Sequence, residues 1–412
     1  MAKKTDLIIF TAIYLYALTV AIVYAVTKLV IISDQTTEYE LYLAVITNHG
    51  AWTRVTDSIV NTSVLLYMPP AWIQLAFHTD LLLTFKLYPC FLFALTPAFV
   101  YLASRHYLNI RYSVLSTFLI LLDFYFINYP ALGRVAIAWG LMSMLIWALA
   151  EKRVKTSCVL AFLLVFAHYG TTYICLGLLG GAAIWAAIRS KHIDWSLAAP
   201  TIVLAVISSV WYSTLITAGT VPSYTRSLFT SSLASLTSPD ISSILAANYL
   251  FNAPLPPILE ATFKVVFVFG LGVMLLWSNR HSSIYRIGIV FLYYFIIGLT
   301  ISILSVSWIM FVILGLSLGY VVYKKTGGFG VMQALAYSLI PLSIFVPRLS
   351  AAYGVGRVYF TIIIILAPVF MLGVQAAEKY MRLPQTSLAV LVLALFGIYT
   401  ANIGCWWPVH LI

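Results

Sequence analysis

Long apolar runs recur along the whole chain, and short polar stretches with charged residues separate them. The first run, Leu7–Ile32, has 26 residues, whereas an α-helix needs about 20 to cross the hydrocarbon core of a bilayer. The runs do not show the short alternating segments that are typical of a membrane β-barrel. The pattern therefore predicts an all-α, polytopic integral membrane protein.

About thirteen transmembrane helices follow from these runs. They are predicted near residues 7–32, 83–103, 112–128 and 135–150, in a hairpin over 157–188, near 197–217 and 259–278, in a second hairpin over 287–322, and near 331–346, 358–376 and 386–404. The sizeable outer loops are about 33–82 and 218–257. Residues 1–412 are expected to form a single transmembrane domain without a soluble C-terminal domain.

The distribution of basic residues predicts the orientation of the chain. With the N-terminus placed in the cytoplasm, 15 of the 23 Lys and Arg residues fall in short clusters on that side, as the positive-inside rule requires. We expect a multi-pass protein of the cell membrane with a cytoplasmic N-terminus and an extracytoplasmic C-terminus. These loop clusters account for most of the positive charge, so the net charge of +11 does not indicate a nucleic-acid partner.

Composition supports the membrane assignment, since 62% of the residues are hydrophobic and only 8% are charged. The sequence contains no GxxxxGK(S/T) phosphate loop, HExxH, GxSxG or Rossmann fingerprint. Coupling to nucleotide is therefore not expected, and the substrate should arrive already activated. The four cysteines show no metal-ligand spacing, and neither a metal nor another cofactor is predicted.

Acidic residues are concentrated directly after the first apolar run. Asp34, Glu38 and Glu40 are three of the twelve acids in the chain. Thr37 and Glu40 fit a capping box, which predicts that a helix begins after Thr37 and explains Glu40 without a catalytic role. The following apolar positions have the spacing of an amphipathic helix on the membrane surface, namely Tyr39, Tyr42, Leu43 and Ile46. Capping does not explain Asp34 and Glu38, which are therefore the catalytic candidates.

Several cations occur at the predicted outer ends of membrane helices. Arg134 and Arg357 open the segments 135–150 and 358–376, where they could either snorkel to lipid headgroups or bind a phosphate bidentately. Lys86, near the start of the segment 83–103, could either snorkel or face the cavity. The hairpin 157–188 has 32 residues, whereas two full spans need roughly 40. Its turn at His168 should therefore lie below the outer surface, where it could contact a substrate or simply pack.

Four stretches, taken together, resemble a known class of membrane enzyme. They are Asp34-x-x-x-Glu38-Tyr39, FKLYPCFLFALTP at 85–97, Gly133-Arg134 with AHYGT at 167–171, and Arg357 with Leu366-Ala367-Pro368. Their order is similar to that in the GT-C glycosyltransferases, in particular to a set of largely uncharacterised archaeal members. The resemblance covers nearly the whole chain. It implies a GT-C-like fold with an interfacial helix in the first outer loop.

The resemblance also implies a reaction. Enzymes of this kind take a sugar from a polyprenyl phosphate or diphosphate carrier at the outer face of the membrane. Asp34 would be the general base that activates the acceptor, and Glu38 either its partner or a group that orients the acceptor. The remaining substrate-binding residues would be Arg134, Arg357, Lys86, His168, Tyr169 and Tyr39. The partners would be this lipid-linked donor, an acceptor that is a glycan, lipid or protein, and the surrounding membrane lipids.

The chain departs from the oligosaccharyltransferase branch of that superfamily. It lacks the WWDYG motif, the large outer C-terminal domain and the second acidic motif that those enzymes use with a divalent metal. A metal-free transfer from a polyprenyl-monophosphate sugar is therefore the expected reaction. The alternative is a transporter or flippase of a lipid-linked sugar, which would use the same cations without catalysis.

Overall fold

A computed structural model of the chain describes residues 4–27, 34–52, 59–123, 126, 133–212, 355–380 and 382–406, with five positions between 330 and 336. No strand occurs among these residues, so the all-α prediction is confirmed for this part of the chain. Several predictions fall outside the described residues: the loop 218–257, the segment 259–278, the hairpin 287–322 and most of 331–346.

Twelve α-helices have bounds within the described ranges and are numbered here in chain order. They are α1 Lys4–Thr27, α2 Asp34–Thr47, α3 Val64–Phe77, α4 Leu81–Phe93, α5 Leu95–Arg105, α6 Ile110–Leu121, α7 Gly133–Ala150, α8 Val154–Ala167, α9 Tyr169–Ser190, α10 Trp195–Val210, α11 Val355–Tyr380 and α12 Ser387–Trp406. Within these described ranges, four stretches are long and apolar enough to cross a membrane: α1, α4 with α5, α7 and most of α9. This is the composition of a helical membrane protein.

Most of the predicted segments in the described ranges correspond to helices. The segments 135–150, 358–376 and 386–404 match α7, α11 and α12. The first part of the segment 112–128 matches α6, which ends at Leu121, and most of the part after residue 123 lies outside the described residues. The amide of Asp123 donates to the carbonyl of Ile120, and this tighter bond closes the last turn.

The segment predicted at 83–103 is two helices rather than one. Helix α4 ends at Phe93 and α5 begins at Leu95, with Ala94 between them. Pro97 has no amide hydrogen to donate to the carbonyl of Phe93, four residues earlier, and its ring crowds that carbonyl. The proline therefore accounts for the interruption, and α4 and α5 together still form one stretch, Leu81–Arg105, that is long and apolar enough for the single predicted crossing.

The predicted outer loop 33–82 contains more regular structure than the sequence indicated. Besides α2, it forms a short 3-10 turn at Ile59–Thr62 and the apolar helix α3, which has 14 residues. Helix α3 is too short to span a bilayer, for which about 20 residues are needed. It contacts α2, α4, α7 and α8, so part of the predicted loop belongs to the bundle.

Helix α2 begins four residues earlier than the capping box indicated. It starts at Asp34, so Thr37 lies inside the helix, and the predicted cap is wrong. The buried positions follow one helical face: Gln35, Glu38, Leu41, Tyr42 and Val45. From the predicted apolar face, Tyr42 is buried, whereas Tyr39, Leu43 and Ile46 are half-buried. The observed face therefore directs Glu38 into the bundle.

Helix α7 is the centre of the described bundle. It contacts α3, α4, α5, α8, α9 and α11, and 16 of its 18 residues are buried. Gly140 permits the closest approach, because a Cβ there would lie 2.1 Å from the backbone oxygen of Leu92 in α4. Beside it, the ring of Trp139 packs against Phe360 of α11 with centroids 4.4 Å apart. Small residues thus bring the helix backbones together, as in other membrane bundles.

Two buried acids connect helix ends on one side of the bundle. Asp6 of α1 accepts hydrogen bonds from the Tyr101 hydroxyl at 2.7 Å and from Arg105 Nε at 2.9 Å, both in α5. Glu378 near the end of α11 accepts from Tyr112 of α6 and from the amides of Thr386 and Ala389 at 2.9 Å each. These contacts join the ends of α1, α5, α6, α11 and α12.

The close contact at Gly140 gives a stability prediction. Gly140→Ala places a methyl group against the backbone of α4, which cannot rotate away, so we expect a loss of about 1–3 kcal/mol from overpacking. Gly177→Ala in α9 is the matched control, since a Cβ there meets nothing within 4 Å. The control should hold or slightly raise stability, because Ala favours a helix. Equal thermal unfolding of the two variants in one detergent would contradict this packing.

Candidate functional site

An ion pair between α2 and α7 lies at the core of the site. Arg134 Nε is 3.1 Å from Glu38 Oε1, and the side chains are only 6% and 4% exposed. Removing two such charges from water costs several kcal/mol per ion, which their attraction offsets only in good geometry. Removal of either partner alone would take this ion pair away from a charge that stays buried.

The sequence at the start of α7 allows this pair to form. Gly133 immediately precedes Arg134, and a Cβ at Gly133 would lie 3.0 Å from Glu38 Oε2 and 2.6 Å from Leu66 Cδ1. A larger residue would therefore push α2 and α3 away from the first turn of α7. Gly133 is required here because it lets α2 approach the first turn of α7. The neighbouring Arg134 can then reach Glu38.

Lys86 is a second buried cation, and it also faces α2. The Asp80 carboxylate accepts from the Leu83 amide at 2.7 Å and so fixes the start of α4. Lys86 is 3% exposed, and its Nζ donates to Gln35 Oε1 at 2.7 Å. The charge of Glu38 acts on Lys86 as well. Of the two alternatives left open for Lys86, the structure shows burial against α2 rather than snorkelling to the membrane surface.

His168 forms the break between α8 and α9 that the short hairpin predicted. Its backbone is extended, with φ −160° and ψ 120°, and its side chain is almost fully buried. His168 Nδ1 accepts from the Thr171 amide at 3.2 Å and so caps α9. Because an amide can only donate, Nδ1 carries no proton and the neutral ring is protonated at Nε2. The charges of Arg134 and Arg357 both act on this ring.

Arg357 occupies the first turn of α11, as predicted, and is half-buried. Its carbonyl accepts from the Thr361 hydroxyl at 2.7 Å, and that hydroxyl in turn accepts from Trp139 Nε1 at 2.9 Å. Trp139 belongs to α7, so these two bonds hold the first turn of α11 against the helix that carries Arg134. The helices that carry Arg134 and Arg357 are therefore held together by these hydrogen bonds.

The structure brings together residues from four helices and the α8–α9 break. We refer to this set as the cationic cluster: Gln35, Glu38, Lys86, Arg134, His168 and Arg357. With a neutral histidine, its three cations and one carboxylate leave an excess of two positive formal charges. Charged groups inside a membrane protein are costly and are commonly functional. An excess of guanidinium and ammonium groups is suited to a phosphate or another polyanion.

The other predicted residues lie around this cluster. Asp34 is the first residue of α2, one turn before Glu38, and its side chain lies outside the described part of the chain. The half-buried Tyr39 packs its ring 5.2 Å from Phe85, and Tyr169 lies 5.0 Å from the His168 ring. Gln35 was missed, although its position three residues before Glu38 puts it on the same helical face.

Two further observations complete the description of the site. Within the described residues, no group of three or more His, Cys, Asp and Glu side chains is arranged to hold a metal ion. No protein-family model matches the chain, and no curated protein matches it either. Fold and site thus define a helical membrane protein with a buried cationic cluster, and its function has to be argued from those residues.

The cap formed by His168 can be separated experimentally from a substrate contact. His168→Ala removes the acceptor for the Thr171 amide and should cost about 0.5–2 kcal/mol of stability, whereas Asn, a good N-cap, should restore most of it. If the ring also contacts a phosphate lipid, His168→Asn should be stable but should bind a polyprenyl phosphate more weakly.

Asp194→Ala is the matched control for this test. Asp194 caps α10 by accepting from the Ser196 amide at 3.0 Å. Its loss should therefore lower the thermal unfolding temperature without changing affinity for the lipid. If both His168 variants bind the lipid with wild-type affinity, His168 does not contact the lipid and serves only to cap α9.

Proposed function

We propose that the chain is a membrane glycosyltransferase of the GT-C type, which transfers a sugar from a polyprenyl-phosphate carrier to an acceptor on the outer face of the membrane. The observation that carries the proposal is the cationic cluster, which lies directly behind a helix that begins with Asp34. A lipid phosphate requires cations at the point where its charge grows, and the acceptor requires a base nearby. The proposal extends to a single domain over residues 1–412.

The chemistry follows from these two requirements. Asp34 takes the proton of an acceptor hydroxyl, and the hydroxyl oxygen bonds to the anomeric carbon of the sugar. The bond between that carbon and the phosphate oxygen breaks, and its electron pair leaves with the polyprenyl phosphate. Preorganised cations stabilise such a leaving group strongly in a dry site. Arg134, Arg357 and Lys86 are the residues for this task, and the transfer needs no metal ion.

The arrangement of the bundle supports the proposed topology. The contacts of Asp6 and Glu378 join several helix ends on one side of the bundle. The basic clusters Lys3–Lys4, Arg105–Arg111 and Lys379–Arg382 are next to these ends in the sequence. This is the arrangement expected if that side of the bundle is cytoplasmic. Arg357 is at the opposite end of α11 from Glu378. At 1.5 Å per residue the two positions are roughly 30 Å apart, which is about the thickness of the hydrocarbon core. We further propose that the chain crosses the membrane with thirteen helices and that the site faces the outer side.

The proposed base gives a direct test of catalysis. The purified protein is incubated with a panel of radiolabelled polyprenyl-phosphate sugars and with glycan, lipid and protein acceptors. Asp34→Asn should lower turnover by roughly 10²–10⁴-fold, because general-base catalysis contributes that much. Affinity for the carrier should remain close to that of wild type, since the change is nearly isosteric.

Glu40→Gln is the matched control for Asp34→Asn, since Glu40 is an exposed acid on the same helix. Its turnover should equal that of wild type. Near-normal turnover of Asp34→Asn would remove Asp34 as the base. If the wild type binds the carrier but transfers no sugar from any donor, that result contradicts the transferase and favours the transporter alternative.

Arg357 gives the cleanest test of phosphate binding, because it is half-buried and its replacement does not break the ion pair of Glu38. Arg357→Ala should weaken carrier binding about ten- to a hundredfold, the equivalent of one charge-assisted hydrogen-bond partner. Arg357→Lys should recover part of this loss, since an ammonium cannot form the bidentate contact.

The control for Arg357 removes a charge at the other end of the same helix. Lys379 is exposed near the end of α11, and Lys379→Ala should leave carrier affinity unchanged. Affinities are measured in one detergent at fixed ionic strength, because surface electrostatics depends on salt. Equal affinities of wild type and Arg357→Ala would show that Arg357 does not bind the phosphate.

A further inference from the structure

Helix α2 carries two acceptors on its buried face, and each engages a cation from a different helix. Gln35 Oε1 accepts from Lys86 of α4 at 2.7 Å, and Glu38 Oε1 lies 3.1 Å from Arg134 Nε of α7. The two positions are three residues apart, so they lie on the same side of α2. All four residues are at most 8% exposed, and thus these contacts are made away from bulk water.

The two acceptors differ in charge, since Gln35 carries a neutral amide and Glu38 a carboxylate. An amide oxygen orients an ammonium group without adding a negative charge, whereas a carboxylate adds one and holds the guanidinium through a charge-assisted bond. Gly133 leaves room for the Glu38 carboxylate beside the first turn of α7, since a Cβ there would lie 3.0 Å from Oε2. A carboxylate that already binds a guanidinium is poorly suited to accept a proton, because the cation stabilises its charged form.

We infer that Gln35 and Glu38 are positioning residues, which hold Lys86 and Arg134 for the carrier phosphate and affect that phosphate only through those two cations. The inference rests on the proposed function, and it assigns Glu38 a role different from that of a catalytic partner to Asp34. It also adds Gln35 to the site. Helix α2 would thereby place the base and orient two phosphate-binding cations as one rigid element.

The Gln35 arm is tested with a change that keeps the side-chain shape. Gln35→Glu places a further negative charge against Lys86 and lowers the net positive charge of the cluster, so the dissociation constant for a short-chain polyprenyl monophosphate should rise at least fivefold. The unfolding temperature should hold or rise, because the uncharged amide acceptor of the ammonium group becomes a carboxylate that forms an ion pair with it. A purely structural role for Gln35 would leave lipid affinity unchanged, and that result would overturn the inference for this arm.

The Glu38 arm is tested with a double-mutant cycle. Glu38→Gln is measured in the wild-type background and in Arg134→Gln, where both partners are neutral amides and no lone charge of the pair stays buried. If Glu38 acts through Arg134, Glu38→Gln should change lipid affinity at least fivefold in the first background and less than twofold in the second. Arg134→Lys serves as a third background, in which the positive charge is kept but the planar guanidinium is lost.

Three results would overturn the inference, and they are distinguishable. Independent, multiplicative effects of Glu38→Gln and Arg134→Gln would mean that Glu38 contacts the substrate itself. A loss of turnover of 10²-fold or more in Glu38→Gln at unchanged lipid affinity would make Glu38 catalytic. If the wild type neither binds the polyprenyl monophosphate nor transfers sugar from it, the proposed function fails and this inference fails with it.

Discussion

The rest of the described structure depends on how a buried charge is compensated. Arg134 stands at the start of the most buried helix, α7, where an isolated guanidinium would be very costly. Glu38 forms an ion pair with it, which is possible because α2 lies close to Gly133 and directs the face that carries Glu38 inward. The ion pair therefore fixes the position of α2 as well as the charge of the site.

Charged residues have different tasks at the two ends of the bundle. At the end that contains Asp6 and Glu378, each acid is engaged by hydroxyl, guanidinium or amide donors that join helix ends, so the charge serves packing. At the other end, the cationic cluster retains more positive than negative charge. Such an excess is expensive for stability and is useful for binding an anion. This contrast is the physical basis for placing the substrate at the cluster.

Much of the candidate site could be predicted because its residues are unusual for their surroundings. Arg134, Arg357 and Lys86 stand out as cations within or beside apolar runs, and His168 stands out in a hairpin too short for two spans. Gln35 could not be recognised in this way, because a neutral amide near a helix start is ordinary. Its role appears only when Lys86, 51 residues later, is seen to donate to it.

The sequence by itself determined the helical membrane class and the positions of α7, α11 and α12, because hydrophobic length and the spacing of charges are local properties of the chain. The tertiary structure decided the remaining points. It moved the start of α2 from the predicted cap at Thr37 to Asp34, and it turned Glu38 inward. A local cap contributes about 1 kcal/mol, whereas leaving Arg134 buried without its counterion would cost more. Where the two conflict, the long-range ion pair determines the structure.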